Sequence, residues 1–356
     1  MPRKSGGQHS TLHDVARAAG VSVSTAARVL RGSDYPVAED LQQRVREAAE
    51  KLRYVPNLLA KRLRGGAHPS IGLIVGNMLD PYFGEIAQAV TVAAQRRSLL
   101  AIVANMQRDP QLELGMIREL WEHRVNGLIL AGGGFDQVTY KNDLASILKQ
   151  VRRSGITVVS LAKRGLPLPV FSVDNEAVGA MLAEHAIAHG HREIGVAAGP
   201  VNSLVTQERL KGSRRVLTQA GVKPATVHTE FGVAGGIAAV DRLLAENPGL
   251  TMILANADTL GVGILRGLEA KGLRVPDDVS VISAGNTAYA RICTPALTTM
   301  DIALAESCDA AVQYISDNMA RTDPAGEPKP FAARLMSGKS VRAIAPDFGK
   351  GRVRAV

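Results

Sequence analysis

The residues best suited to chemistry near the start of the chain lie between Val23 and Arg31, directly after a Gly20-Val21-Ser22 stretch. Val23, Ser24 and Arg28 fall near the start and along one face of a short helical segment. An Arg can bond bidentately to a guanine edge in the major groove, a Ser hydroxyl can donate or accept there, and a Val can touch a thymine methyl. Thr25 and Arg31 suit phosphates, contacts that position a protein on DNA without reading its sequence. The competing reading of the same residues is a small helical bundle with a basic surface. Catalytic groupings do not emerge. Ala131-Gly132-Gly133-Gly134 is neither a dinucleotide-binding glycine pattern nor a P-loop. His189 and His191 straddle a helix-ending Gly190, and no Cys or acid cluster completes a metal site with them and His185; there is no G-x-S-x-G nucleophile elbow. No enzyme activity and no cofactor are expected.

The elements that must position the Arg28 face are legible. Thr11 followed three residues on by Asp14 forms a capping box, and Val15, Ala16 and Ala19 give the helix behind it an apolar face. Gly20 ends that helix by supplying a left-handed turn residue. Ser22 can cap a second helix over Val23 to Leu30, and two short helices joined by such a turn make a helix-turn-helix. A third helix is expected from about Ala38 to Arg53, with Leu41, Val45, Ala48, Ala49 and Leu52 on one face and Pro56 as its stop. Charge agrees: residues 1–66 hold twelve Lys and Arg against six Asp and Glu, so most of the formal +9 lies there, as a polyanion partner requires.

From Ile71 onward short apolar runs alternate with helical stretches. The runs span 71–76, 100–104, 126–131, 156–162, 193–198, 251–255 and 279–283. Stretches such as Tyr82–Arg97, Asn175–His189, Val205–Ala220 and Asp258–Lys271 lie between them. That rhythm predicts parallel sheets covered by helices on both faces. More than ten strands are too many for one open sheet, so two lobes are expected, with a ligand cleft at the strands' carboxyl ends. Two cysteines, Cys293 and Cys308, are too few for a disulfide framework, the MPRKSGGQHS start has no apolar stretch behind it, and no apolar run would span a membrane. A cytoplasmic protein without a membrane partner is expected.

TLHDVARAAGVSVSTAARVLRGS with RVREAAEKLRYVPNLLAKRLR, and then IGLIV, DPYFGEI, RVNGLIL, VDNEAVGAMLAEHAIAHGHREIG, ERLKG, GLRVPDDVSVIS and TPALTT, stand in one order and spacing to about residue 336. Together they closely resemble the lactose-repressor and purine-repressor (LacI/GalR) family of bacterial transcription regulators. The resemblance implies a helix-turn-helix headpiece over 1–56 and a hinge helix and linker over 57–66. It also implies a core over 70–336 of two doubly wound parallel-sheet lobes, like those of periplasmic binding proteins. Lobe one would hold 70–162 and 301–325, lobe two 170–298 and 331–336, with a basic tail at 337–356. It implies a repressor bound as a homodimer, with a tetramer also open, to double-stranded operator DNA and modulated by a small-molecule effector. A solute-binding protein of a transport system or a sugar-processing enzyme is the alternative, but neither has a use for a basic helix-turn-helix.

Residue roles follow only where positions match. Leu63, set between Arg62 and Arg64, matches an apolar wedge that kinks operator DNA in the minor groove. Tyr82 and Phe83 match an aromatic pair of the effector pocket, Ser203 a polar lining position, Arg209 the effector-clamping arginine, Phe231 a wall aromatic, and Asp258 an acid after a core strand. Phe83 and Phe231 could also be plain core, and Asp258 could merely cap its helix. The chain departs from the family pattern in four places, one of them Arg31 where an Asn is usual. Ala26-Ala27 replaces Val-Ser, removing a hydroxyl expected at a phosphate. Ala162, followed by Lys163 and Arg164, stands where an Asp is usual, and Ser283-Ala284-Gly285-Asn286 replaces an acid-bearing loop. An acidic effector is therefore expected, such as a sugar acid or phosphorylated metabolite. Arg209 would grip it, with Lys163 or Arg164 as second cation and Asn286 nearby.

Overall fold

The computed structural model describes residues 10–31, 36–54, 69–319 and 328–344. The chain divides into two compact units, the second beginning at Pro69.

In the first unit α1 (Leu12–Ala19), α2 (Val23–Arg31) and α3 (Glu39–Lys51) pack around Val15, Ala16, Ala19, Ala26, Val45, Ala48 and Ala49. The preponderance of Ala lets three short helices approach closely. The capping box forms: the Thr11 hydroxyl accepts from the Asp14 amide at 3.3 Å, and the Asp14 carboxylate accepts from the Thr11 amide at 3.0 Å. Gly20 closes α1 at φ 66, and a Cβ there would lie 2.6 Å from Arg44 Nη2. Ser22 Oγ accepts from the Thr25 amide at 3.0 Å, opening α2 as expected. The third helix is shorter than its apolar pattern implies. It ends at Lys51 because Arg53 turns left-handed at φ 47, before Pro56 is reached.

The second unit alternates strand and helix. Its first lobe contains β1 (Ser70–Val75), α4 (Pro81–Arg96), β2 (Leu100–Asn105), α5 (Pro110–Glu122), β3 (Gly127–Leu130), α6 (Val138–Arg153) and β4 (Thr157–Ser160). The strands form a parallel sheet in the order β2-β1-β3-β4. After the crossing come α7 (Asn175–Ala188), β5 (Ile194–Ala198), α8 (Leu204–Gln219), β6 (Ala225–His228), α9 (Val233–Glu246), β7 (Met252–Ala255), α10 (Asp258–Ala270), β8 (Ser280–Gly285), α11 (Ala288–Ile292) and β9 (Thr298–Asp301). The chain then returns as α12 (Leu304–Asn318), and β10 (Arg334–Met336) completes the second sheet. That sheet runs β10-β9-β8-β7-β5-β6 and is parallel except at the β10 edge. Strands buried on both faces are why β1, β3 and β7 read as continuous apolar runs.

Three expectations need correction. The described residues hold ten strands, not more than ten. Lobe two extends through β9 to Asp301, because Thr298–Asp301 pairs with β8, so the return crossing falls at 302–304. Residues 337–344 are no loose tail. Ser340 is buried: its carbonyl accepts from the Val281 amide at 2.8 Å and its hydroxyl from the Thr298 amide at 2.8 Å. The Ile344 amide donates to the His189 carbonyl at 2.8 Å.

Candidate nucleic-acid interface and effector cleft

The α2 face expected to meet DNA is presented to solvent. Val23, Ser24 and Arg28 are exposed, Thr25 is half-buried, and no acid stands in the helix's first turn to offset the positive end of its dipole. Ser22 Oγ lies 2.8 Å from both Ser24 Oγ and Thr25 Oγ1, so the three hydroxyls form one cluster at the helix start. Ala26 and Ala27 are both buried, and Ala26 belongs to the headpiece core. Leu63, Arg64 and the Arg31 side chain lie outside the described residues.

In the core a cavity of about 300 Å³ opens between the lobes at the carboxyl ends of both sheets. Tyr82, Phe83, Ser203, Arg209, Phe231 and Asp258 all line it. Tyr82 and Phe83 meet edge to face with ring centroids 4.9 Å apart, and burial pushes the Tyr82 phenol up to about 12. The Phe83 and Phe231 rings rest on backbone: a Cβ at Gly76 would lie 2.4 Å from Phe83, and one at Gly199 2.3 Å from Phe231. Arg209 is buried on α8. Its Nε donates to Asn175 Oδ1 at 2.9 Å and its Nη1 to the Asn256 carbonyl, while Nη2 has no acceptor among the described residues. Burial lowers the Arg209 pKa, with Tyr82 and Asp258 opposing. The Asn256 amide nitrogen Nδ2 is likewise buried and unpartnered.

Four expected placements are corrected. Asp258 does not cap its helix; both its oxygens are taken. Oδ1 accepts from Ser283 Oγ at 2.6 Å and Thr299 Oγ1 at 2.7 Å, and Oδ2 from the Thr287 amide at 2.7 Å and hydroxyl at 2.9 Å. The acid therefore ties the loop after β8 in place. Asn286 turns away from the cavity, its carbonyl and side-chain oxygens accepting from Arg291. Lys163 does not line the cavity either: its ammonium pairs with Glu208 at 3.0 Å, which raises its pKa. Arg164 is buried inside lobe one, paired with Glu113 at 2.7 Å. A cation cannot be left alone in an apolar interior, so buried Arg164 takes Glu113, whereas Lys163 meets Glu208 at the surface.

Arg108 and Asp80 line the cleft and were not anticipated. Arg108 Nη2 pairs with Asp80 Oδ2 at 2.6 Å. Both flank strand ends in lobe one, and the Asp-Pro steps at 80–81 and 109–110 were the available signal that helices start there facing the cleft. The lobes also touch beyond the cavity walls. The Asp136 amide donates to the Asn202 carbonyl at 2.7 Å, and the Ala288 amide to Glu85 Oε1 at 2.6 Å. Among the described residues no helix is long and apolar enough to cross a membrane.

Two family models match: bacterial regulatory proteins of the lacI family over residues 11–57, and periplasmic binding proteins and sugar binding domain of LacI family over residues 68–322. An HTH-type transcriptional repressor PurR of Mannheimia succiniciproducens is 29% identical over 340 residues, spanning 94% of this chain and 100% of its own. The HTH-type transcriptional regulator DegA of Bacillus subtilis is 28% identical across 82% of this chain and 86% of its own. Among solved structures, the Lac repressor bound to ONPG superposes with a TM-score of 0.82 at 24% identity, over 94% of this chain and 100% of that one. A CelR–cellobiose complex gives 0.65 at 26% identity, over 93% and 100%. The chain belongs to the LacI family, and is a DNA-binding transcription regulator whose core binds a small-molecule effector.

Proposed function

We propose that this chain is a cytoplasmic repressor that binds a pseudo-palindromic operator as a homodimer and responds to a small acid held between its lobes. The observation that carries the effector class is the pair of donors without acceptors at Arg209 and Asn256; the one further acid in the cavity lining, Glu230, is exposed to solvent. Asp258 has four donors and Asp80 has Arg108, whereas Arg209 Nη2 and Asn256 Nδ2 have no acceptor among the described residues. A ligand that satisfies buried donors must bring acceptors, and a carboxylate or phosphate oxygen does so with charge assistance. Arg209 replaces Lys163 and Arg164 as the basis for an acid. A cavity of about 300 Å³ sits at the small end of the range for ligand pockets, which fits a ligand the size of one sugar acid. On DNA, Val23, Ser24 and Arg28 read base edges, Thr25 and Arg31 hold phosphates, and Leu63 with Arg64 works in the minor groove. Support for the assembly comes from relatives named as repressors and from a solved Lac repressor dimer bound to operator. Two-fold protein symmetry matches paired half-sites.

A thermal-shift panel on the full chain tests the effector class, with gluconate and glucose 6-phosphate set against glucose, ribose and adenine. A ligand at about a hundred times its dissociation constant stabilises by about 2.7 kcal/mol. Acids should give the shift; a neutral sugar that shifts the melt while both acids fail would overturn the acidic effector. Gel shifts on genomic fragments with and without the hit establish the sign of the response.

A further inference from the structure

Arg108 sits on backbone that non-glycine residues seldom adopt. Gln107 and Arg108 are consecutive left-handed residues at φ 51 and 57. The Arg108 amide is fixed to the Gly76 carbonyl at 2.7 Å. Such conformations persist where surrounding contacts over-determine them, and they cluster at ligand clamps and switch regions. Here the effect is to place one guanidinium against both lobes. In lobe one it pairs with Asp80 and lies 5.8 Å from the Phe83 ring centroid. In lobe two it lies 5.3 Å from the Phe231 centroid and donates to the Phe231 carbonyl at 3.4 Å. Neither ring can retreat, since each is seated on a glycine whose Cβ would overlap it. Other charged contacts between the lobes, Lys163 with Glu208 and Arg291 with Glu85, involve side chains outside the cavity lining.

We infer that Arg108 is the inter-lobe clamp of the effector cleft, holding lobe two through Phe231 and presenting, with Asp80, a donor beside an acceptor to a hydroxyl of the ligand. The ligand-recognition half rests on the effector cleft proposed above. Asp80 already balances the charge of Arg108, and a second carboxylate placed there would face Asp80 as a like charge. A hydroxyl can accept from Arg108 and donate to Asp80 at once. The acid then goes to Arg209, which also borders the small chamber at the lobe crossings that Arg108 does not reach. The fitting ligand is a small polyhydroxy acid. Cation–π contact with two rings adds to the hold between the lobes.

Hydrogen exchange on the ligand-free full chain tests the clamp without knowledge of the effector. In Arg108→Ala, amides at 229–234 and 202–204 should exchange about tenfold faster, as for a local opening, while β3 and β7 stay protected. Phe231→Leu should do the same, and the double variant no more than either. Arg108→Lys should restore part of the protection. Unchanged exchange at 229–234 overturns the clamp, as does an equal rise through β3 and β7, which would mark general loss of stability. Sodium gluconate is the probe for the hydroxyl contact. A melting shift seen in the wild type and lost in Arg108→Gln supports it, and one kept in Arg108→Gln overturns it. No shift in the wild type overturns the polyhydroxy-acid assignment and leaves the exchange result to decide the clamp.

Discussion

Arg164 and Glu113 form an ion pair of 2.7 Å in which neither side chain is exposed to solvent. Arg164 Nε donates to Ser160 Oγ, Nη1 to the Tyr140 hydroxyl and Nη2 to the Gly132 carbonyl, each at 3.1 Å, and Tyr140 donates to Glu113. One buried guanidinium thus joins α5, α6, the end of β4 and the glycine loop that walls the effector cleft.

Removing one partner should cost far more than removing both. Arg164→Met leaves Glu113 charged and unpaired in the interior and should destabilise the core by about 3–5 kcal/mol, whereas the Arg164→Met, Glu113→Leu double variant should recover much of that. Urea unfolding of the four chains of this cycle gives the answer. A double variant as unstable as Arg164→Met would show that the network acts by packing rather than by charge.

Arg209→Met should abolish the effector-induced change in operator affinity and leave operator binding without ligand close to wild type. The Asn175 and Asn256 acceptors lose their donor, so the chain should also be about 1–3 kcal/mol less stable. Gel shifts with and without effector, run beside a urea melt, separate the two effects. An intact response in Arg209→Met would remove Arg209 from the ligand site.

Arg28→Ala should lower operator affinity by about 1–3 kcal/mol with little change on random DNA, because it removes a base contact. Fluorescence anisotropy at fixed salt on both duplexes decides. Equal loss on the two would make Arg28 a phosphate contact. Leu63→Ala should reduce the operator bend measured by end-to-end energy transfer, since no apolar wedge remains to open a base step.

Stability should fall as the solution is acidified through the histidine range. Burial, reinforced by His189 and His191, pushes His185 down to about 4 from its ordinary 6.5, and burial also lowers His191. Between these values the unfolded chain binds a proton that the folded core refuses, so the stabilisation is full above about pH 6.5 and is lost on descent towards about pH 4. Urea midpoints across that window should drop, and His185→Gln should flatten the slope. An identical slope in the variant would assign the effect to other groups.

Ending the chain after Met336 should loosen lobe two rather than trim a tail. Ser340 serves both Val281 and Thr298, so Ser340→Ala should cost about 1–3 kcal/mol and the truncation more. Calorimetric melting of the full chain, Ser340→Ala and the truncation gives the ranking. A truncation that melts like the full chain would refute the role of this segment.

The sequence by itself determined the parts of this protein whose instructions are local. Thr11 with Asp14, Gly20 and Ser22 specify the helix-turn-helix through caps and a turn that depend on neighbours a few residues away. Alternating apolar runs and helical stretches specify the parallel lobes, because strands buried on both faces must be apolar throughout. Tertiary structure alone decided which charges line the cleft. Lys163 and Arg164 adjoin the expected pocket in sequence, yet Glu208 and Glu113, 45 and 51 residues away by their numbering, draw one to a surface pair and bury the other. Arg108, just past β2, enters the cleft because Gly76 and Asp80, in the segment after the neighbouring strand β1, hold its backbone and its side chain. The partner of a charge depends on contacts between distant segments, which no local pattern of residues encodes, whereas a cap, a turn or an apolar run is complete within its own few residues.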